Sequence, residues 1–358
     1  MIKELSAQGR LTIFPVALAV AIVFSAFAGV ADAQSQKFQF AAIGDTAYSK
    51  RNQEEFDRMI AVMNRENLAF VVHVGDFEAD PRPYNRNPDR ISMPCTDESF
   101  ARVLASFQRS AHPFVLTPGD NDWTDCHLLK ARKVDPLERL AKLREMFFPE
   151  GRSLGQRTMP VDSQAKDQGF AKYRENLTWT TNGVVFATLH TVGSNDNLGR
   201  TPEMDAEHAG RKAANLAWMK KAFAAARAPE VRGLVLLTQA NVAFESHWTE
   251  SLKSRYVRSA GGRIPKDAEG TAYDALVDAL VTEMESFPKP VLFVHGDTHL
   301  FRVNKPLISK KTRRFYENFT RVEVFGDPDT HWVRITVDPS KPELFTIEPE
   351  IVPGNTAN

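Results

Sequence analysis

Four Gly-Asp pairs are the residues of this sequence best placed to do chemistry together. Each pair follows a short apolar run, and the pairs are Gly44-Asp45, Gly75-Asp76, Gly119-Asp120 and Gly296-Asp297. A single pair is typical of a tight turn with a helix cap, and four turns without bound metal are one interpretation. The other is a cluster of carboxylates, which remain ionised together only around a cation. The glycines are expected to let the backbone bend sharply before each aspartate.

Two further side chains fit the second interpretation. His299 lies two residues after Asp297, and Gln239 follows another apolar run, Leu234 to Leu237. An oxygen-rich set of ligands with one imidazole suits Mn²⁺, Mg²⁺ or Fe better than a structural zinc site. The sequence therefore predicts a site for one or two divalent ions.

Short strands must position these residues. The runs before the aspartates are apolar on both faces and rich in branched or aromatic residues, as expected of strands in the centre of a sheet. Helical patterns lie between them, and Asn52 with Glu55 is predicted to cap the first helix. This alternation predicts an α/β fold whose parallel strands end at a common edge, where ligands bind.

Two regions depart from the alternation of strand and helix. Asn182-Gly183 separates two alternating runs and predicts a tight antiparallel hairpin. The chain from about Phe319 onward alternates apolar and polar residues, which predicts half-buried antiparallel strands. We therefore expect mixed β-sheets flanked by helices, without a linker that divides the chain.

The order of these motifs resembles that of the calcineurin-like metallophosphoesterases, which include the purple acid phosphatases. Members of that family carry Asp, Gly-Asp, Gly-Asn-His-Asp/Glu, His and Gly-His-x-His at successive strand ends, and the resemblance covers roughly residues 38–337. It implies a sandwich of mixed sheets flanked by helices, with the metals at the carboxyl ends of the strands. The metal ligands that it implies here are Asp45, Asp76, Asp120, Gln239, Asp297 and His299.

The match to the family is closer at one metal site than at the other. Asp45 matches the first metal aspartate, Asp76 the aspartate that bridges two metals, and His299 the second histidine of Gly-His-x-His. In the second site, Gln239 and Asp297 stand where the family has histidines, and Asp120 stands for an asparagine. Ala79 occupies the position of the metal tyrosine of purple acid phosphatases, so no tyrosinate–iron site is expected.

The resemblance implies hydrolysis of phosphoric esters through attack of a metal-bound hydroxide on phosphorus. Asn121 stands where the family has the histidine that assists the leaving group, so activity is expected to be reduced. His190, at another strand end, is predicted to compensate, and Asn195 and Asn197 in the following loop are predicted to bind substrate. The alternative is a protein that binds metal and a phosphate ligand without turnover. The expected partner is a phosphorylated small molecule.

The N-terminus predicts export. Lys3 and Arg10 precede an apolar run that ends at Ala31-Asp32-Ala33, the layout of a signal peptide over residues 1–33 that is cleaved after Ala33. An uncleaved membrane anchor is the alternative. The mature chain, residues 34–358, is then a single phosphoesterase-like domain in the periplasm or outside the cell, with no later membrane span expected.

The cysteines and the overall charge complete these expectations. Cys95 and Cys126 are the two cysteines of the chain, and an oxidising compartment favours a disulfide between them over two free thiols. Lys and Arg number 45, as do Asp and Glu, so no overall basic charge points to nucleic acid. No nucleic-acid groove is expected, and the sequence leaves the oligomeric state open.

Overall fold

A computed structural model of the chain describes residues 36–80, 94–130, 132–249, 251–254 and 272–356. These residues belong to one compact unit, Ser35–Asn358, and the predicted signal peptide lies outside the described residues. The strands are β1 (Phe38–Ile43), β2 (Val71–His73), β3 (Phe114–Leu116), β4 (Asp162–Ser163), β5 (Leu177–Thr181), β6 (Val184–Thr188), β7 (Gly233–Leu237), β8 (Val291–His295), β9 (Arg302–Asn304), β10 (Phe319–Glu323), β11 (Trp332–Val337) and β12 (Phe345–Glu350). The α-helices are α1 (Lys50–Met63), α2 (Asp97–Phe107), α3 (Pro136–Phe147), α4 (Pro202–Ala226) and α5 (Asp274–Met284), and 3-10 turns cover Thr124–Leu128, Gln164–Lys166 and Phe244–His247.

The strands form two mixed sheets. The first has the order β12-β11-β1-β2-β3, and the second β4-β5-β6-β7-β8-β10-β9. β1, β2 and β3 are parallel to one another, as are β6, β7, β8 and β10, while the outer pairs are antiparallel. The predicted α/β class with mixed sheets flanked by helices is confirmed.

An aromatic core joins the two sheets. Phe40 of β1 and Phe70, just before β2, pack edge-on against Phe186 of β6, with ring centroids 5.3 Å and 5.1 Å apart. Edge-to-face pairs of this kind contribute beyond the area that they bury. A second apolar core, which includes Phe223 of α4 and Phe293 of β8, covers part of the larger sheet. The sheets are therefore fixed as a packed sandwich.

Of two predictions made from local sequence, the hairpin is confirmed and the cap of α1 is not. Asn182 and Gly183 have φ of 44° and 76° and close the predicted hairpin between β5 and β6. The predicted cap of α1 is wrong by one turn, because Ser49 is the cap and accepts from the N–H of Asn52 at 3.1 Å. Glu55 is bonded to the Asn52 side chain within the helix.

The prediction of half-buried antiparallel strands at the end of the chain is wrong in part. β10 pairs parallel to β8 and antiparallel only to β9, and β11 is buried along almost its whole length. Alternation reports which residues share a face but not the direction of the neighbouring strand. Of the helices in the described ranges, none combines the length and the apolar character that crossing a membrane requires.

Candidate metal centre

The ends of strands from both sheets lie side by side. Gln239 follows β7, and its Nε2 donates a 3.2 Å hydrogen bond to Oδ2 of Asp76, which follows β2. The backbone N–H of Asp297, after β8, donates to Oδ1 of Asp45, after β1, at 3.0 Å. Residues that the sequence placed on separate strands are thus in direct contact across the two sheets.

Asp120 and Asp297 face each other across Gly193. A Cβ atom on Gly193 would lie 2.8 Å from both carboxylate oxygens of Asp120 and from Oδ1 of Asp297. Ser194 Oγ donates a 2.7 Å hydrogen bond to Oδ2 of Asp120, whereas Oδ1 of Asp120 is buried and has no hydrogen-bond partner in the described part of the chain. An unpaired buried carboxylate oxygen is costly, and a cation at this oxygen would remove that cost.

His299 presents its Nε2 to the same cluster. Its Nδ1 is 2.7 Å from the backbone carbonyl of Asp327, and its Nε2 is 3.7 Å from Oδ1 of Asp45. In the neutral tautomer that donates from Nδ1–H to this carbonyl, Nε2 has the lone pair that binds a metal. The structure therefore brings together the residues that the sequence predicted as metal ligands: Asp45, Asp76, Asp120, Gln239, Asp297 and His299.

The turns that carry these side chains have an unusual backbone. Asp45, Asp76, Asp297 and His299 have φ of 51°, 56°, 87° and 62°. Residues other than glycine seldom adopt positive φ, and such conformations concentrate at functional sites. No sequence pattern reveals this shared backbone conformation.

The glycines of the motifs serve two purposes. Gly75 has φ of 99° and provides the sharp bend that the sequence predicted. Gly119 is required for space instead, because a Cβ there would overlap the carboxylate of Asp76. The predicted bend is therefore only part of the reason for Gly before Asp.

Two residues behind the cluster hold its turns in place. The buried carboxylate of Asp122 accepts hydrogen bonds of 2.7–3.2 Å from the N–H groups of Asp76, Phe77, Glu78 and Gly119. Buried His73 donates from Nε2 to the carbonyl of Thr46 and accepts at Nδ1 from the N–H of Gly75, both at 3.2 Å. From its place inside a strand, His73 is expected to be a hydrogen-bonded core histidine, whereas the anchoring role of Asp122 was missed, since nothing before the fold shows which backbone groups either side chain reaches.

Burial raises the pKa of every carboxyl group in the cluster. It is the main cause for Asp45 and Asp76, whose pKa lies well above the ordinary value, and neighbouring carboxylates add to it. Burial and the charge of Asp125 raise the pKa of Asp120 to about 6, while burial and the charge of Asp120 raise that of Asp297 to about 8. Crowded acids of this kind are relieved by a bound cation.

These donors do not form a closed cage as they stand. Within the described ranges, no three or more His, Cys, Asp or Glu side chains are close enough to hold an ion in their present positions. The amide oxygen of Gln239 is also engaged, since it accepts from the N–H of Gly193 at 2.6 Å.

Asn121 lies at the edge of the cluster. Its backbone N–H donates to Oδ1 of Asp76 at 3.1 Å, and its side-chain Nδ2 is 3.5 Å from the hydroxyl of Tyr48. Asn121 is nearly buried, with 8% of its surface exposed. Its amide can donate a hydrogen bond but cannot give up a proton as an imidazolium does.

His190 does not have the surroundings of a proton donor. It is fully buried, its Nδ1 is 2.7 Å from Oε1 of Glu175, and its Nε2 accepts from the indole N–H of Trp123 at 3.1 Å. Burial lowers the pKa of His190, so the ring stays neutral. Because both nitrogens are occupied by internal partners, the catalytic role expected for His190 is replaced by a role in holding Trp123.

The two asparagines expected to bind substrate differ in position. Asn195 is exposed and donates to the carbonyl of Leu198 at 3.2 Å. Asn197 is fully buried, and its Nδ2 donates to Oε2 of Glu207 at 3.1 Å, so it turns away from solvent. Ser194 of the same loop, which the sequence did not single out, contacts the cluster through its hydroxyl, which donates to Asp120.

The predicted disulfide is present. Cys95 and Cys126 are bonded, with Cα atoms 5.9 Å apart. Cys95 precedes the cap of α2, and Cys126 lies in the 3-10 turn Thr124–Leu128 that follows Asp122. The bond therefore ties the start of α2 to the segment that carries Asp120 and Asn121.

Comparisons with known proteins find similarity in structure only. No family model and no curated protein matches the sequence. Among solved structures, PhoD is 15% identical, with 87% of this chain and 68% of that chain covered at a TM-score of 0.49. A dimetal phosphatase from Danio rerio is 11% identical, with 87% and 96% covered at 0.49. The sulfate thiohydrolase SoxB of Thermus thermophilus, in complex with glycerol, is 10% identical, with 83% and 42% covered at 0.38. The chain is thus similar to these structures over most of its own length.

Proposed function

We propose that this protein is a metal-dependent hydrolase of phosphoric esters. The observation that carries the proposal is the meeting of three buried aspartates, the half-buried Asp297 and His299 where the two sheets end. A bound cation would offset the raised pKa values of these groups and would give the unpaired Oδ1 of Asp120 a partner. The motif order that resembles the metallophosphoesterases supports the same reaction.

The residues fit one or two divalent cations. Asp45, Asp76 and His299 would hold the first, and the second would lie among Asp76, Asp120, Gln239 and Asp297. Gln239 has to turn its amide so that its oxygen faces the ion. Carboxylate and amide oxygens with one imidazole favour Mn²⁺, Mg²⁺ or Fe over structural zinc.

The protein's own groups would do the remaining work. A bound cation supplies an activated water and neutralises the phosphoryl oxygens. Asp122 and His73 keep the turns rigid, so the ligands stay oriented. Asn121 offers a hydrogen bond to the substrate but no proton for the leaving group, which favours esters whose leaving oxygen departs without one.

Metal binding and turnover test the proposal separately. We expect the protein to retain stoichiometric metal, and the Mn²⁺-loaded protein to hydrolyse p-nitrophenyl phosphate. Asp76→Asn removes the residue that would bridge both ions, so Mn²⁺ affinity by calorimetry should fall at least about tenfold and turnover should be lost. Asp278→Asn, at an exposed aspartate of α5 that pairs with Lys310, is the matched control and should change neither.

The second candidate is a binding protein, favoured by Asn121 at the cluster and by the burial of His190. Mn²⁺-loaded protein that binds inorganic phosphate yet hydrolyses neither aryl monoesters nor diesters would establish it. Failure of the wild-type chain to bind Mn²⁺, Mg²⁺ or Fe would rule out both candidates.

We also propose that the chain acts outside the cytoplasm. The layout of residues 1–33 and the Cys95–Cys126 disulfide support this location. Expression of the full chain in a bacterial host, followed by cell fractionation and N-terminal sequencing, should recover a protein that begins at Gln34 in the exported fraction. Recovery of the uncleaved chain in the cytoplasm would contradict this location.

A further inference from the structure

Tyr48 is a side chain at the metal centre that the motif pattern gives no role. It lies three residues after Asp45 in the connection from β1 to α1 and is half-buried. Its hydroxyl is 3.5 Å from Nδ2 of Asn121, and its ring lies 5.8 Å from the ring of His299, measured between centroids. Tyr48 therefore lies between Asn121, in the segment that corresponds to Gly-Asn-His-Asp/Glu, and His299, in the segment that corresponds to Gly-His-x-His.

The ionised aspartate side chains of the cluster offer no hydrogen bond to a phosphate ester. A phosphate ester presents only acceptor oxygens, while the carboxylates of the cluster accept and do not donate. Asn121 stands where the family has a histidine, and His190 is buried behind Trp123. Nδ2 of Asn121 and the phenolic O–H of Tyr48 are two neutral donors at the edge of the cluster.

The position of Asn121 makes the pair suitable for this task. The backbone N–H of Asn121 is fixed by Oδ1 of Asp76 at 3.1 Å, so its amide is held next to the expected metals. The 3.5 Å separation from the Tyr48 hydroxyl is too long for a strong hydrogen bond between the two groups. Both are consequently free to turn toward a common third partner.

We propose that Tyr48 contacts the substrate, and that its hydroxyl and the Asn121 amide each donate a hydrogen bond to an oxygen of the phosphoryl group. The inference rests on the proposed function. Two neutral donors bind and orient the ester without transferring a proton. The substrate class is therefore that of phosphate esters with weakly basic leaving groups, such as aryl esters.

The test is Tyr48→Phe, which removes the hydroxyl and keeps the ring against His299. In the Mn²⁺-loaded protein, we expect inorganic phosphate to bind about tenfold more weakly by calorimetry, as for loss of a hydrogen bond to a charged group. The kcat/KM for p-nitrophenyl phosphate should fall by a similar factor. The midpoint of thermal unfolding and the Mn²⁺ affinity should be unchanged.

Tyr316→Phe is the matched control, since its hydroxyl is 3.5 Å from the carbonyl of Val281 on α5 and it should leave phosphate binding intact. Equal phosphate affinity in wild type and Tyr48→Phe overturns the inference while the metal centre stands. An equal loss of Mn²⁺ affinity overturns it as well, because Tyr48 would then act through the metal. A wild-type chain that binds no metal removes the proposed function itself, and a metal-loaded wild type without phosphate affinity overturns the inference.

Discussion

The adjacent residues Asn121 and Asp122 have different roles. Asp122 is buried and anchors four backbone N–H groups, whereas Asn121 lies at the edge of the cluster with its side-chain Nδ2 toward the hydroxyl of Tyr48. The stability of the turn and the chemistry at its edge are thus carried by separate residues. Position 121 can therefore be changed without disturbing the anchor beside it.

Replacing Asn121 with histidine should restore a proton donor. We expect Asn121→His to raise turnover of an alkyl phosphate by a factor of up to about 10²–10⁴, the usual contribution of general acid catalysis. Turnover of p-nitrophenyl phosphate should change little, because its leaving group needs no proton. Steady-state kinetics on both esters at several pH values measure the difference. Equal changes on the two esters would show that the new ring acts by other means.

At the scale of elements, the loop after β6 is anchored by helix α4 on one side and contacts the carboxylates of the metal centre on the other. Arg211 of α4 is fully buried and donates to the carbonyl of His190 at 2.8 Å and to the carbonyl of Asp196 at 2.9 Å. These two hydrogen bonds hold the loop so that Gly193 lies between the carboxylates of Asp120 and Asp297. Helix α4 therefore positions the centre although none of the expected metal ligands belongs to it.

Gly193→Ala should widen the gap between Asp120 and Asp297. The added methyl group would lie 2.8 Å from oxygens of both carboxylates, so one of them must move. We expect the weaker of two Mn²⁺ binding steps to lose about tenfold in affinity or more, since one displaced ligand costs a coordinating bond. Calorimetric titration of the chelator-treated protein measures it.

Ser194→Ala is the neighbouring control. It removes the hydrogen bond to Asp120 without adding bulk between the carboxylates, so its effect on Mn²⁺ affinity should be smaller. A larger effect from Ser194→Ala than from Gly193→Ala would contradict the steric argument.

Some of these residues and elements could be predicted from the sequence, and others could not. The convergence of the Gly-Asp turns follows from parallel strands, and Asn182-Gly183 closes its hairpin through local backbone preference. His190 and Asn197 could not be assigned correctly, because their direction is decided by Glu175 and Glu207, partners from other elements. The pairing of β10 with β8 is likewise a tertiary choice that alternation along one strand does not contain.

The whole molecule is neutral, yet one end of the sandwich concentrates acid. The chain has 45 basic and 45 acidic residues, while the centre gathers carboxyl groups whose pKa burial raises. Burial raises the pKa of Asp122 to about 8 as well, although hydrogen bonds from the N–H groups of Gly119, Glu78 and Phe77 oppose the shift. Without metal, the folded protein therefore keeps protons that the unfolded chain releases.

The stability of the metal-free protein should therefore fall as the pH rises from about 4 to about 8. An acid whose pKa is higher in the folded state favours folding below its unfolded value, near 4, and loses that contribution as the pH rises through its folded value. The folded value for Asp297 is about 8. Thermal unfolding in chelator should show a falling midpoint, whereas saturating Mn²⁺ should reverse the slope, since metal binds the deprotonated form.

Asp297→Asn removes one of these groups and should flatten the fall in chelator. A midpoint that stays level or rises over this pH range in the metal-free wild type would show that the carboxyl groups are already ionised at neutral pH. That result would contradict the crowding on which the metal site depends.

Because the expected metal ligands come from the strand ends of both sheets, metal binding affects how the sheets are held together. Asp45, Asp76 and Asp120 extend from one layer, and Gln239, Asp297 and His299 from the other. An ion coordinated by both sets would cross-link the two layers at this margin. Amide hydrogens near both strand ends should then exchange more slowly once the ion is bound, while those at the opposite margin keep their rates.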